Sequence, residues 1–376
     1  MIYLDNASTT LIKPESVGIA VMEAINSRHF ANPNRGSYEM SLNSLRALYD
    51  LREDLGELFG VKALNLSLCA NVTTALNLVL NSLLHEKDHI ITSMADHNSV
   101  LRPLNHLKLK GVEVSYLPLV GDKIDLSYLN KLLQKNTKAV CLTAMSNVSG
   151  QITNLKAAAD FCKKQGLILI IDGAQAAGTM DLNLKDFDRT ILCFTGHKSL
   201  YGPEGTGGIA LKGDIKFEEV FSGGGGNSND EHQSPFMPDI FEYGTINVHS
   251  NLGLLAGVRY VKSLGIDKIS KDLFELSSYL YKSLKSLEGI RLYGDHHYPH
   301  GPIVSFNYKD YSSEKVADLL WKKKEIATRA KLHCAPLFHK AMGTDKRGMV
   351  RVSLSTFNSF EDVDKLIETL KNIALL

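Results

Sequence analysis

Two residues in this sequence could do chemistry if the chain sets them at fixed positions. Lys198 sits in a polar, glycine-rich stretch, FTGHKSLYGPEGTGG (residues 194–208), between two apolar runs. Asp172 ends the apolar run LILII (167–171). A lysine amine can attack a carbonyl carbon and can later act as a base. A carboxylate at the end of a buried strand can keep a cationic ring nitrogen protonated. Each has a plainer reading. A loop lysine is ordinarily solvated, and an aspartate before small residues is a good helix cap.

Further candidates follow other apolar runs. In SLCANVTTALN (67–77), Asn71, Val72 and Thr73 open a helix pattern. Free N–H groups and threonine hydroxyls there make an anion site, or simply a cap. No GK[ST] element occurs, so a nucleotide P-loop is excluded. His97, in MADHNSVLRPL, is either a cap or a flat imidazole able to stack on a ring and exchange protons. Asn147, in AMSNVSG, is an amide on a turn. Cys334, in TRAKLHCAP, stands in the one polar setting among the five cysteines. Its neighbours His333 and Arg329 are of the kind that lower a thiol's pKa. Cys69, Cys141, Cys162 and Cys193 lie in or beside apolar segments and read as inert. Arg329 and Arg351 could clamp a carboxylate, although either alone reads as a surface charge. The clusters His296/His297/His300 and His333/Cys334/His339 lack a supporting shell, so no metal site is expected.

The elements that must position these residues alternate. Strands are expected at 64–69, 89–93, 112–117, 137–144, 167–171, 190–194 and 208–211. Helices separate the first five, at 73–84, 98–110, 126–134 and 154–165. Fully apolar strands between helices are the pattern of a buried, mostly parallel sheet in an α/β fold. Ligands of such sheets gather beyond the strands' C-terminal ends, where the candidates fall. Amphipathic helices at 15–28 and 42–59 precede the alternation. Residues 222–239 read as a long surface loop. Helices at 247–263 and 268–287 follow. After Gly289 a strand (303–308), a helix (313–324), a strand pair (326–330 with 349–353) and a final helix (360–372) suggest a small α+β unit. We expect a large domain over 15–258 and a small one formed by 1–14 and 259–376.

The bulk composition narrows the function classes. With 376 residues, 44% apolar, the chain can bury a large core. Net charge is +1 without a basic block, which argues against nucleic acid as partner. No apolar run approaches the roughly 18–20 residues of a membrane span. The start MIYLDNASTT has no signal-peptide pattern, and scattered cysteines fit a reduced, cytoplasmic protein.

Together these residues resemble the fold-type I pyridoxal-phosphate enzymes. Within them the chain is similar to the class V aminotransferase/cysteine desulfurase family, on its SufS-like branch. The resemblance runs through YLDNASTT, ANPNRG, DHNSVLRP, SNVSG, DGAQAAG, TGHKSLYGPEGTGG, FEYGTIN, RAKLHCAP and VRVSLSTFN. It implies a large domain with a mostly parallel seven-stranded sheet and a small α+β domain. It implies pyridoxal 5′-phosphate held by Lys198 as a Schiff base, with Asp172 on the ring nitrogen and Gln175 on the phenolic oxygen. His97 would stack on the ring. Val72, Thr73, Thr195 and His197 would bind the phosphate. Thr245 would reach the phosphate of a partner subunit, making the enzyme a homodimer. Asn147 would sit at both cofactor and substrate, and Arg35, Arg329 and Arg351 would face an amino-acid substrate. Arg351 would be its main carboxylate anchor.

The activity so implied is a cysteine desulfurase, which converts L-cysteine to L-alanine and leaves a persulfide on Cys334. The sulfur would pass to a protein acceptor, as in iron–sulfur cluster assembly. Alternatives are a selenocysteine lyase, another aminotransferase or β-lyase of the family, and a non-catalytic sulfur-relay protein. Two positions depart from the family pattern. Ala70-Asn71-Val72 replaces the more usual Gly-Thr start of the phosphate loop. Lys331 stands where a glycine is common.

Overall fold

The computed structural model describes residues 1–33, 36–224 and 231–373. Seven strands form the central sheet, in the order Leu66–Cys69, Gly207–Lys212, Thr190–Thr195, Ile168–Asp172, Thr137–Thr143, His89–Ser93, Glu113–Leu117. All are parallel except Gly207–Lys212, which runs against both its neighbours. This is the α/β architecture expected from the alternation.

The sheet is apolar on both faces because both are covered. On one, Leu169, Ile171, Leu192 and Phe194 pack with Leu51 and Leu55 of the helix Glu39–Phe59. On the other, Ile168, Ile170, Ile191 and Cys193 pack with Leu76 and Leu80 of Val72–Leu83 and with Leu104 of Asn98–Lys108. Side chains alternate along each strand, so a sheet buried twice needs an unbroken apolar run.

A third core surrounds an antiparallel sheet, Ile290–Tyr293, Ile303–Tyr308 and Val350–Ser353, with the helices Ile266–Lys285, Ser313–Lys324 and Phe360–Ile373. Leu4 of the N-terminal arm joins this core.

Two expectations are corrected. The segments near 326 and 350 pair with each other only in part. Ile326–Ala327 pairs in parallel with Ile2–Tyr3, and Val350–Ser353 joins Ile303–Tyr308. They meet at an isolated antiparallel bridge, Arg329 with Arg351, next to a bond from Met349 N to the Lys331 carbonyl. Edge partners are chosen by long-range contacts that local pattern does not contain. Residues 126–134 are not one helix either. They form a 3₁₀ turn, Leu126–Tyr128, and a single helical turn, Leu129–Leu132, because the pattern is too short to propagate. Part of the expected loop at 222–239 lies outside the described residues. Among the described residues no helix is long and apolar enough to cross a membrane.

Candidate active site

Five loops leave the C-terminal ends of the parallel strands and close around one cavity of about 740 Å³. Val72, Thr73, His97, Asn147, Asp172, Gln175, His197, Lys198, Arg329, Cys334 and Arg351 all line it. The structure thus brings together residues spread over most of the chain.

Asp172 ends its strand with the carboxyl buried, 2% exposed. Its Oδ1 accepts from the Ala174 N–H at 3.0 Å, so it both caps a turn and faces the cavity. Burial raises its pKa, against the lowering pull of the Ala174 N–H and the charge of Lys198. Burial also lowers the Lys198 amine to about 8, with Asp172 opposing and Arg351 reinforcing the shift. An amine with that pKa is partly unprotonated near neutrality, which a nucleophile or base requires.

The Lys198 loop is held from behind. Thr10 donates its hydroxyl to the His197 and Lys198 carbonyls at 3.1 Å. Gly178 has φ +89°, and a Cβ there would stand 2.2 Å from the Ser199 carbonyl oxygen. Only a glycine lets DGAQAAG approach this closely. On the other side, a Cβ on Gly207 would lie 2.9 Å from the Asn71 Cα.

Asn71 caps Val72–Leu83 by accepting from Thr74 N at 3.0 Å. The N–H groups of Val72 and Thr73 remain as orphans of the first turn at the cavity. Thr73 Oγ1 meets Ser99 Oγ at 2.7 Å, and Ser99 meets His97 Nδ1 at 2.9 Å. His97 Nδ1 also accepts from the Ser99 N–H at 3.1 Å, so the neutral ring carries its proton on Nε2. Burial lowers the His97 pKa to about 4, helped by Lys198 and Arg351. Beneath His97, the buried Asp96 accepts from Thr92, Ser93 and Thr143, which ties the loop to two strands. His197 is likewise lowered to about 4 by burial and by Lys198, and its buried Nδ1 has no protein partner. Gln175 donates from Nε2 to the Ala7 carbonyl at 2.9 Å.

The two arginines differ. Arg351 is 3% exposed, with Nη2 on Asp5 at 2.7 Å and on Ser8 Oγ at 2.8 Å. Its Nη1 donates to the Asn147 carbonyl at 3.1 Å, and its buried Nε is unpartnered. Arg329 is 52% exposed and 3.7 Å from the same Asp5. Sequence reasoning gave Asp5 and Ser8 no role. The only signal was their place in the motif YLDNASTT.

Cys334 is exposed to solvent at the cavity wall. Lys331, His333 and Cys334 adopt φ of 79°, 47° and 56°, which L-residues avoid. Bonds from both sides hold them there. Asn98 N donates to the Cys334 carbonyl at 2.8 Å, Asn147 Nδ2 to that of His333 at 2.7 Å, and Met349 N to that of Lys331 at 3.1 Å. The expectation that His333 supplies a cation beside the thiol is corrected. Burial and Arg351 push its pKa well below the usual histidine value, so it stands neutral.

Two predicted residues are not among those that line the cavity. Thr195 does not line the cavity; it is 1% exposed, and its hydroxyl reaches the Thr206 carbonyl at 3.4 Å. Thr245 is exposed and lines a neighbouring cavity of about 510 Å³, which shares Thr74 and Gly205 with the first. Arg35 lies outside the described residues. The remaining thiols are removed from chemistry by burial, which pushes Cys69 and Cys162 up to about 12 and raises Cys141 and Cys193. His296 is an aromatic core residue, stacked between Phe274 and Tyr281.

The family model described as Aminotransferase class-V matches residues 2–366. The chain belongs to the class-V aminotransferase family. Among similar class-V proteins is a probable cysteine desulfurase of Methanothermobacter thermautotrophicus, 30% identical over 99% of this chain and 94% of the relative. A probable cysteine desulfurase of Pyrococcus abyssi is 31% identical over 99% and 94%. Among solved structures, the apo cysteine desulfurase of Thermococcus onnurineus NA1 superposes with a TM-score of 0.91 at 29% identity, covering 99% of this chain and 94% of that one. One from Escherichia coli gives 0.87 at 26%, over 100% and 95%. The fold is that of the fold-type I pyridoxal-phosphate enzymes.

Proposed function

We propose that this protein is a pyridoxal-phosphate-dependent cysteine desulfurase that converts L-cysteine to L-alanine and takes the sulfur onto Cys334. The observation that carries the reading is the joint presence of the Lys198 amine, the Cys334 thiol and the Arg351 guanidinium on one cavity wall. The names of the relatives point the same way.

The residues present fit the cofactor. Lys198 would hold it, Asp172 would face its ring nitrogen, and His97 its ring. The first-turn N–H groups of Val72 and Thr73 and the unpartnered Nδ1 of His197 suit its phosphate. When bound, pyridoxal phosphate supplies an electron sink for the pair released at the substrate α-carbon.

The chain's own residues do the rest. Arg351 binds the substrate carboxylate, and Asn147 steadies Arg351 through its carbonyl. Lys198, a partly unprotonated amine, moves the α-proton. His97 presents a neutral ring with the proton on Nε2. The Cys334 thiolate attacks the substrate sulfur. An S–S bond forms as the Cβ–S bond breaks, and the electron pair passes to the carbon skeleton. That carbon takes up a proton and leaves as alanine. Cys334 is oxidised to a persulfide by the two electrons that reduce the carbon, so no outside oxidant is needed. An added thiol, or a protein acceptor, then removes the sulfur. Exposed Thr245 would complete the phosphate site of a second copy in a homodimer.

The test is incubation of cofactor-loaded protein with L-cysteine and a thiol reductant, assaying alanine and sulfide together. Equal amounts of both are expected. In Cys334→Ala, sulfide release should be lost while the cofactor absorbance stays. Full activity in that variant would remove the thiol from the mechanism.

A further inference from the structure

Two residues that line the cavity each carry a buried polar atom without a hydrogen-bond partner: Arg351 Nε and His333 Nε2. The same residue holds both groups, since Asn147 donates to the His333 carbonyl at 2.7 Å and accepts from Arg351 at 3.1 Å. Behind His333 lies a buried chain. His333 Nδ1 meets His339 Nε2 at 3.3 Å, and His339 Nδ1 meets Thr344 Oγ1 at 2.9 Å. The two rings stack with centroids 5.5 Å apart.

The chain carries one order of protons that would leave a donor on His333. The Thr344 hydroxyl has two acceptors in reach, His339 Nδ1 at 2.9 Å and the His339 carbonyl at 3.4 Å. That carbonyl already accepts from Thr344 N at 2.9 Å. When the hydroxyl donates to Nδ1, the His339 proton sits on Nε2. In that order His339 donates to His333 Nδ1, which leaves the His333 proton on Nε2. Both rings are held neutral, His339 lowered to about 4 by burial, so neither carries a charge at neutral pH.

We propose that His333 Nε2–H is a second donor to the substrate carboxylate beside Arg351, and that His339 and Thr344 are positioning residues that fix the donating tautomer. This rests on the reading of the cavity as an amino-acid site. A buried N–H without an acceptor is costly, and a carboxylate oxygen between the two donors satisfies both. Arg351 has its Nη2 committed to Asp5 and Ser8 and an Nη1 proton to Asn147, so its free edge takes a carboxylate only in part. His333 supplies the missing hydrogen bond.

The experiment uses cofactor-loaded enzyme and isothermal titration with L-alanine and with ethylamine, the same amine without the carboxylate. His333→Ala and His339→Phe, which keeps the stacked ring, are expected to weaken L-alanine about tenfold, the loss typical of a hydrogen bond to a charged group. Ethylamine affinity should be unchanged. His333→Gln, which restores an N–H donor, should recover most of the L-alanine affinity. In turnover, His339→Phe should raise KM for cysteine with little change in kcat. Unchanged L-alanine affinity in His339→Phe, equal weakening of both amines, or a wild type that binds both equally would each overturn the proposal. If cysteine yields no alanine while the L-alanine/ethylamine contrast persists, the desulfurase reading falls and the carboxylate subsite stands.

Discussion

Replacing Arg351 with glutamine tests whether it anchors the substrate. In the folded protein the guanidinium is 3% exposed and makes three hydrogen bonds, to Asp5, Ser8 and the Asn147 carbonyl. Its free Nε marks the edge that the substrate would use. Losing that edge removes one hydrogen bond to a charged group, about 1.5–3 kcal/mol. At about 1.4 kcal/mol per tenfold, this predicts a roughly ten- to 150-fold rise in KM for cysteine. The turnover number should change much less, because the contact is made equally in ground and transition states. Folding should survive, since Asp5 keeps Arg329 at 3.7 Å as a counter-ion and is not left as an isolated buried charge. The assay is steady-state alanine formation, with a thermal melt to check the fold. A variant that melts like the wild type and shows KM unchanged within about twofold would remove Arg351 from the carboxylate site.

Alkylation of the native protein should modify Cys334 alone, because it is the exposed thiol while burial raises the pKa of the other four. All five cysteines should react in denaturant, and mass spectrometry of the native digest decides it. Lys198→Met should flatten the pH dependence of stability in the cofactor-free protein. The folded amine is lowered to about 8 from 10.5, so between those values the unfolded chain binds the extra proton, and this residue's contribution to stability rises with pH. Melts from pH 8 to 10 check it; a wild-type slope no steeper than that of Lys198→Met would contradict the burial of the amine.

Most of the sheet was legible because a strand buried on both faces must be apolar throughout, and LILII at 167–171 has no other economical use. The loop candidates were legible for a related reason. Asp172, His97, Asn147 and Lys198 are polar residues directly after apolar strands, where a parallel sheet collects its ligands. Short segments were less legible. The turns at Leu126–Tyr128 and Leu129–Leu132 read as one helix because periodicity over nine residues does not reveal whether tertiary contacts will sustain it.

The sequence by itself determined the alternation and the C-terminal edge of the sheet as the place for chemistry, with Lys198 and Asp172 as candidates there. These depend on local periodicity and on residue type. Only the tertiary structure decided what surrounds them. It set Arg329 beside Arg351 through an isolated bridge and gave both Asp5 as counter-ion from the far end of the chain. It buried Thr195 against the Thr206 carbonyl and aligned Thr344 and His339 behind His333. Burial, which no local pattern encodes, made Lys198 a partly unprotonated amine and His333 a neutral ring rather than a cation. Such properties arise from desolvation and from contacts between residues distant in sequence, and they exist only once the chain has closed around the cavity.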